Sequence, residues 1–185
     1  QITVNATPKV QFNAMPDICL DATPYQITQA AETGGVAGSG IFSGPGVSSA
    51  GVFNPALVTP GTYTIKYTYT STAAGCMESM SRTIKVLAPP IPDFTIGTPV
   101  CETKAVAFTS NSTTPEGSLT TWTWNFGDGS PAVVRNNSSA INHTYATYGP
   151  YNVTLSVITS DGCSSTPKTV TLNVNPQPKA IFALP

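Results

Sequence analysis

Hydrophobic and polar residues alternate with a period of two in both halves of the chain. Tyr63, Ile65, Tyr67 and Tyr69 fall on one side of a stretch whose other side carries Thr62, Thr64, Lys66, Thr68 and Thr70. Farther on, Tyr151, Val153, Leu155 and Val157 oppose Asn152, Thr154 and Ser156. Successive side chains of a strand point to opposite faces, so both stretches are predicted as strands with one face in a core. No stretch of comparable length carries a 3.6-residue stripe. Short strands, frequent Gly and Pro turns, and one widely spaced cysteine pair per half predict an all-β protein: two tandem immunoglobulin-like antiparallel β-sandwich domains.

An internal repeat fixes the domain count. Phe12 precedes Cys19 by seven residues and Phe94 precedes Cys101 by seven, with both pairs offset by 82 positions. Later, Gly61-Thr62-Tyr63-Thr64-Ile65 leads to Gly75-Cys76, as Gly149-Pro150-Tyr151-Asn152-Val153 leads to Gly162-Cys163. A closing strand follows each, Thr83-Ile84-Lys85-Val86 or Val170-Thr171-Leu172-Asn173-Val174. Between the halves, Ala88-Pro89-Pro90-Ile91-Pro92 favours a short extended link, which divides the chain into domains at 7–88 and 89–175. Val4, Pro8, Lys9 and Phe12 match Val174, Pro178, Lys179 and Phe182 at a constant offset of 170. Residues 1–6 therefore read as the end of a preceding repeat or its linker, and 176–185 as a linker and the start of a following one. The expected first partners are neighbouring repeats of the same chain, with the domains end to end.

Composition narrows the function. Charged residues make up 9 % of the 185, with 8 Lys+Arg against 9 Asp+Glu, where an average domain carries about 25 %. Nucleic acid is excluded as a partner, because the basic residues are scattered singly rather than clustered. No apolar run approaches the roughly 20 residues of a membrane-spanning helix, so no membrane insertion is expected. The 28 Thr, 17 Pro and 15 Gly leave little material for helices.

There are four cysteines, no Cys-x-x-Cys pair and one histidine, so zinc-type spacing is missing. Two disulfides are the expectation, Cys19 to Cys76 and Cys101 to Cys163. Each joins repeat-equivalent positions, and neither crosses the proline-rich segment. Disulfides persist in oxidising surroundings, so the expected location is outside the cell, secreted or on a cell surface.

Trp122-Thr123-Trp124-Asn125-Phe126-Gly127-Asp128-Gly129, then His143-Thr144-Tyr145 and Tyr151-Asn152-Val153-Thr154-Leu155-Ser156-Val157, resembles the polycystic kidney disease (PKD) domain family over about residues 91–175. That family carries a Trp-Asp-Phe-Gly-Asp-Gly turn, a His-Thr-Tyr element and a Gly-x-Tyr-x-Val strand. Here Asn125 replaces the first Asp of the turn, and Tyr148-Gly149-Pro150 replaces the usual Pro-Gly. The resemblance implies a seven-stranded sandwich with an extracellular spacer or interaction role and no catalysis. The first half resembles, more loosely, immunoglobulin-like repeats beside PKD domains in surface and gliding adhesins of Bacteroidetes-type bacteria. That resemblance rests on Gly40-Ile41-Phe42-Ser43-Gly44-Pro45-Gly46-Val47, Gly51-Val52-Phe53-Asn54-Pro55 and the Gly61 to Ile65 strand.

Candidate chemistry is sparse. Trp122, Trp124 and Phe126 could form a sugar-stacking platform, but their i, i+2, i+4 spacing directs them to one strand face, ordinarily the core. Asp128 and His143 are a possible acid–base pair, yet no Gly-x-Ser-x-Gly or His-Glu-x-x-His motif accompanies them. Their expected role is structural: Asp128 closes the Gly-Asp-Gly turn by accepting from backbone amides, and His143 packs or hydrogen-bonds nearby. Tyr151 joins them as a core residue. Some PKD domains bind calcium, and the resemblance nominates Asp93, Glu116 and Asp161. Six to eight oxygen ligands are wanted, so three carboxylates offer weak affinity and no cofactor is expected. The sequence therefore reads as non-catalytic spacer modules of a bacterial surface adhesin supporting adhesion or gliding. The rivals are a module gripping surface glycans or proteins and an accessory region of a secreted hydrolase.

Overall fold

A computed structural model describes residues 5–178, and the chain divides into two compact units, Gln1–Ala88 and Pro89–Pro185. Of the residues carrying the 170-residue offset, Val4, Lys179 and Phe182 lie outside the described part, as does most of 176–185.

The first unit holds β1 (Val10–Phe12), β2 (Ile18–Cys19), β3 (Tyr25–Gln26), β4 (Ala30–Glu32), β5 (Gly38–Ser43), β6 (Val52–Phe53), β7 (Gly61–Ser71) and β8 (Met77–Leu87). Its main sheet runs β2-β8-β7-β5, with smaller pairs β1-β4 and β3-β6. The alternating tyrosine stretch is β7, paired antiparallel with β8 from Gly61 opposite Val86 to Thr70 opposite Met77. Ile65 and Tyr67 point into a core with Phe12, Ile27, Phe53, Ile84 and Val86, while the threonines face out. On β5, a side chain is excluded at Gly40: a Cβ there would lie 2.0 Å from the Tyr67 hydroxyl.

The second unit holds β9 (Phe94–Ile96), β10 (Ala105–Ser110), β11 (Leu119–Asn125), β12 (Val133–Arg135), β13 (Ile141–Thr144), β14 (Gly149–Thr159) and β15 (Lys168–Val174). These seven strands form two sheets, β13-β10-β9 and β12-β11-β14-β15. Phe94, Val106, Phe108 and Ile141 from the first sheet share one core with Trp122, Trp124, Val153, Leu155, Val157 and Leu172 from the second. Among the described residues the only helical element is a single 3-10 turn, Pro55–Leu57. No helix among them is long and apolar enough to cross a membrane.

Candidate functional site

The chemistry-bearing residues of the second unit gather where β11 ends and β13 passes. Trp122, Trp124 and Phe126 are 6 %, 2 % and 1 % exposed, so all three are core and none is available as a sugar platform. Trp122 sits as deep as its neighbours because its Nε1 donates to Ser110 Oγ at 3.0 Å, which satisfies the indole inside the sandwich. Trp124 contacts Phe94 edge-on, with ring centroids 5.2 Å apart, and lies parallel to Phe126.

Beyond Trp124 the chain must reverse. Gly127 has φ +75°, and a Cβ on it would lie 2.5 Å from the Asn152 carbonyl oxygen, so the turn needs glycine. The Asn125 side-chain oxygen accepts from the Gly127 N–H at 2.9 Å. An amide oxygen makes this bond as a carboxylate does, so asparagine serves at that position. Asp128 Oδ1 accepts from the Ser130 hydroxyl at 2.6 Å and from the Ser130 N–H at 3.1 Å. Its Oδ2 meets His143 Nε2 at 2.7 Å. The imidazole lies flat on Phe126, centroids 4.0 Å apart and planes within 3°, and meets Tyr145 edge-on with centroids 4.8 Å apart.

Partial burial opposes the Asp128 charge, but the hydrogen bonds from Ser130 and His143 outweigh it and hold the carboxyl down at about 2. Ser130 is bonded to the carboxylate and not to the imidazole, so the trio has no base-activated hydroxyl. It is a latch that ties β13 to the end of β11. Tyr145, fully buried, donates to the Phe126 carbonyl oxygen at 3.2 Å, and its own ionisation is pushed up by burial and then by the nearby Asp128 charge. Tyr151 is half-buried against Tyr145, with its hydroxyl donating to the Thr147 carbonyl oxygen at 2.8 Å. Tyr63 in the first unit does the same to the Thr59 carbonyl oxygen at 2.7 Å.

The three calcium candidates do not gather into one group among the described residues. Asp93 pairs with Lys168, and that ammonium group holds its carboxyl below the usual range. Asp161 lies against Gly117, the residue after Glu116: a Cβ on that glycine would lie 2.8 Å from Asp161 Oδ2. Among the described residues, no three His, Cys, Asp or Glu side chains form a group that could hold a metal ion.

The cysteines overturn the expected pairing. Cys19 and Cys163 are disulfide-bonded, whereas Cys76 and Cys101 are free thiols, so neither Cys19 to Cys76 nor Cys101 to Cys163 exists. The reason is topological. Cys19 sits opposite Leu87, at the end of β8, while Cys76 immediately precedes Met77, at its start. Ten strand steps separate those ends, about 33 Å, against the roughly 7 Å limit between Cα atoms of a disulfide. In the second unit Cys101 bridges Asn175, just past the Val174 opposite Gly149, while Cys163 adjoins Thr159 at the far end of β14. Repeat-equivalent positions are therefore not neighbours; each domain carries one cysteine at each end.

Residues 87–174 match the family model described as PKD domain. Among solved structures, the chain is similar to the PKD1 domain of Vibrio anguillarum Epp, at 25 % identity and TM-score 0.41, over 48 % of this chain and 96 % of that one. The PKD domain of the human VPS10 domain-containing receptor SorCS2 is similar at 20 % identity and TM-score 0.41, over 51 % and 80 %. Fibronectin(III)-like modules of Clostridium thermocellum CbhA are similar at 13 % identity and TM-score 0.48, over 96 % and 100 %. No curated protein matches the chain. The residues that match the PKD family model span all seven strands of the second unit.

Proposed function

We propose that these are non-catalytic spacer modules of a large extracellular bacterial surface adhesin, serving adhesion or gliding by carrying load between neighbouring repeats. One observation carries the reading: in both domains an N-terminal segment lies parallel to the last strand. Ile18 and Cys19 pair with Val86 and Leu87, and Leu20 N–H donates to the Leu87 carbonyl oxygen at 3.0 Å. In the second domain, Cys101 pairs with Asn175, and Glu102 N–H donates to the Asn175 carbonyl oxygen at 2.9 Å. Tension applied at a domain's two ends loads such bonds together in shear instead of opening them one by one. The disulfide-bonded cysteines accord with an oxidising, extracellular setting, and PKD domains are typical extracellular modules. No cofactor is required, and calcium binding is at most weak.

Single-molecule pulling from the chain ends tests this. Leu20→Pro, which deletes the N–H bonded to Leu87, should lower the unfolding force of the first domain and leave the second unchanged. An unchanged force, together with saturable binding of the intact chain on a glycan array, would replace the spacer with the binding module.

A further inference from the structure

Past the last strand of the second domain the chain stays bonded to it. β15 ends at Val174, yet the next three residues fold onto the 100–103 segment. Asn175 N–H and side-chain amide both donate to the Val100 carbonyl oxygen, at 3.1 and 3.0 Å, and Glu102 N–H donates back to the Asn175 carbonyl oxygen at 2.9 Å. Gln177 lies half-buried between exposed Pro176 and Pro178. Its N–H donates to Glu102 Oε1 at 3.0 Å, and its side-chain amide to the Glu102 carbonyl oxygen at 3.0 Å and to Thr103 Oγ1. The other Glu102 oxygen is used as well: Oε2 accepts at 3.2 Å from the N–H of Tyr148, just before β14. A carboxylate can accept from both N–H groups with separate oxygens, whereas an amide would turn an NH2 group toward one of them.

Thr103 supplies an independent observation. Among the described residues it is the one non-glycine residue with positive φ, +59°, a conformation that crowds a β-branched side chain and that glycine takes freely. The turn itself uses only backbone: Thr103 N–H donates to the Tyr145 carbonyl oxygen at 2.8 Å and Lys104 N–H to that of Cys101 at 3.3 Å. What threonine adds over glycine is a hydroxyl, and that hydroxyl is bonded to Gln177. Strain kept at such a position points to a use for the side chain. In the first domain the same place in the repeat is Leu20-Asp21, with a leucine where Glu102 stands. There Leu20 N–H still bonds the Leu87 carbonyl oxygen, but leucine has no carboxylate to catch the residues that follow.

We propose that Asn175–Gln177 is a strap that opens and closes on the folded second domain, with Glu102 as its latch and the Thr103 hydroxyl as its catch. Closed, it fixes the direction in which the chain leaves β15 and ties that exit to the segment entering β14. Open, it releases three residues, about 10 Å of extended chain, while all seven strands stay paired. The bonds that close it join half-buried and exposed residues, so it opens at lower cost than the domain unfolds. The strap goes beyond the spacer reading and stands without it.

Amide hydrogen exchange of the full chain, resolved by NMR, tests it. Glu102→Ala removes both acceptor oxygens and should speed exchange at Gln177 and at Tyr148 together, at least tenfold at Gln177, with the core amides of Val153 and Leu155 unchanged. Two variants at the catch differ only in the hydroxyl. Thr103→Ser keeps it and should leave Gln177 as protected as in the parent chain, whereas Thr103→Ala should speed exchange there about fivefold, the value of one hydrogen bond. Equal exchange at Gln177 in the serine and alanine variants would overturn the proposal. So would a Glu102→Ala variant in which Gln177 speeds up and Tyr148 does not, which is fraying of a terminal segment, or one in which Val153 and Leu155 speed up equally, which is opening of the whole domain.

Discussion

The two domains share their ends and differ in their middles. Both put a hairpin-turn cysteine behind a hydroxyl residue at one end, a cysteine beside the last strand at the other, and a tyrosine bonded to a carbonyl four residues upstream. Their interiors have little in common. The second domain's described core holds thirteen buried side chains with a run of aromatic rings, against seven in the first, so a core truncation has more to collapse in the second. Their loops also use different chemistry. Asp128 latches to Ser130 and His143, while Glu32 in the first domain gathers four backbone N–H groups, from Lys9, Gly34, Gly35 and Val36. Those four bonds hold the Glu32 carboxyl below its ordinary range. What repeats is the backbone frame that presents the ends; the filling is free to vary as long as each sandwich is packed.

Substitutions can separate frame from filling. Trp124→Ala should destabilise the second domain by about 3–5 kcal/mol, the cost of a large core truncation with its cavity. Hydrogen exchange at Val153, Leu155 and Val157 should rise while that at Ile65 and Ile84 stays put. A smaller effect is expected from the shared device: Tyr63→Phe and Tyr151→Phe should each cost about 1 kcal/mol, the value of one hydrogen bond. Denaturant titrations giving unequal costs for the two would show that only one domain uses it.

The latch belongs to the second domain alone and should show as acid sensitivity. The Asp128 carboxyl is held near 2 against an ordinary 3.8. Because the folded value is the lower one, its contribution is fully present above pH 4 and is lost as pH falls from there toward 2. With the side chain 17 % exposed, solvent screening leaves on the order of 1 kcal/mol. Asp128→Asn should flatten that part of the stability–pH curve, read from melts at pH 2 to 5. The smallest expected effect is that of calcium. Melts with calcium and with chelator should coincide, whereas a site filled to 100 times its dissociation constant would add about 2.7 kcal/mol.

Much of this was legible in the chain. Period-two alternation located β7 and β14 because those strands have one face in a core and one in water, and the Trp124 and Phe126 positions followed from the same parity. The depth of Trp122 was less legible, since it depends on Ser110, twelve residues away in sequence and on the opposite sheet. The disulfide pairing was misread for a physical reason. Equivalence in a repeat says that Cys19 and Cys101 occupy the same place in different domains; it says nothing of what lies beside either. A signal was available. Cys76 and Cys163 lie in hairpin turns, at one end of a domain, while Cys19 and Cys101 come a strand's length after the first core phenylalanine. At about 3.3 Å per residue, seven residues carry the chain to the other end.

The central claim is that each domain keeps its two cysteines a full strand apart, so that no disulfide closes within a domain. Non-reducing peptide mapping of the freshly purified monomer tests it directly. Cys19 and Cys163 should appear in disulfide-linked peptides and Cys76 and Cys101 as alkylated thiols. A digest dominated by Cys19–Cys76 and Cys101–Cys163 peptides would contradict it.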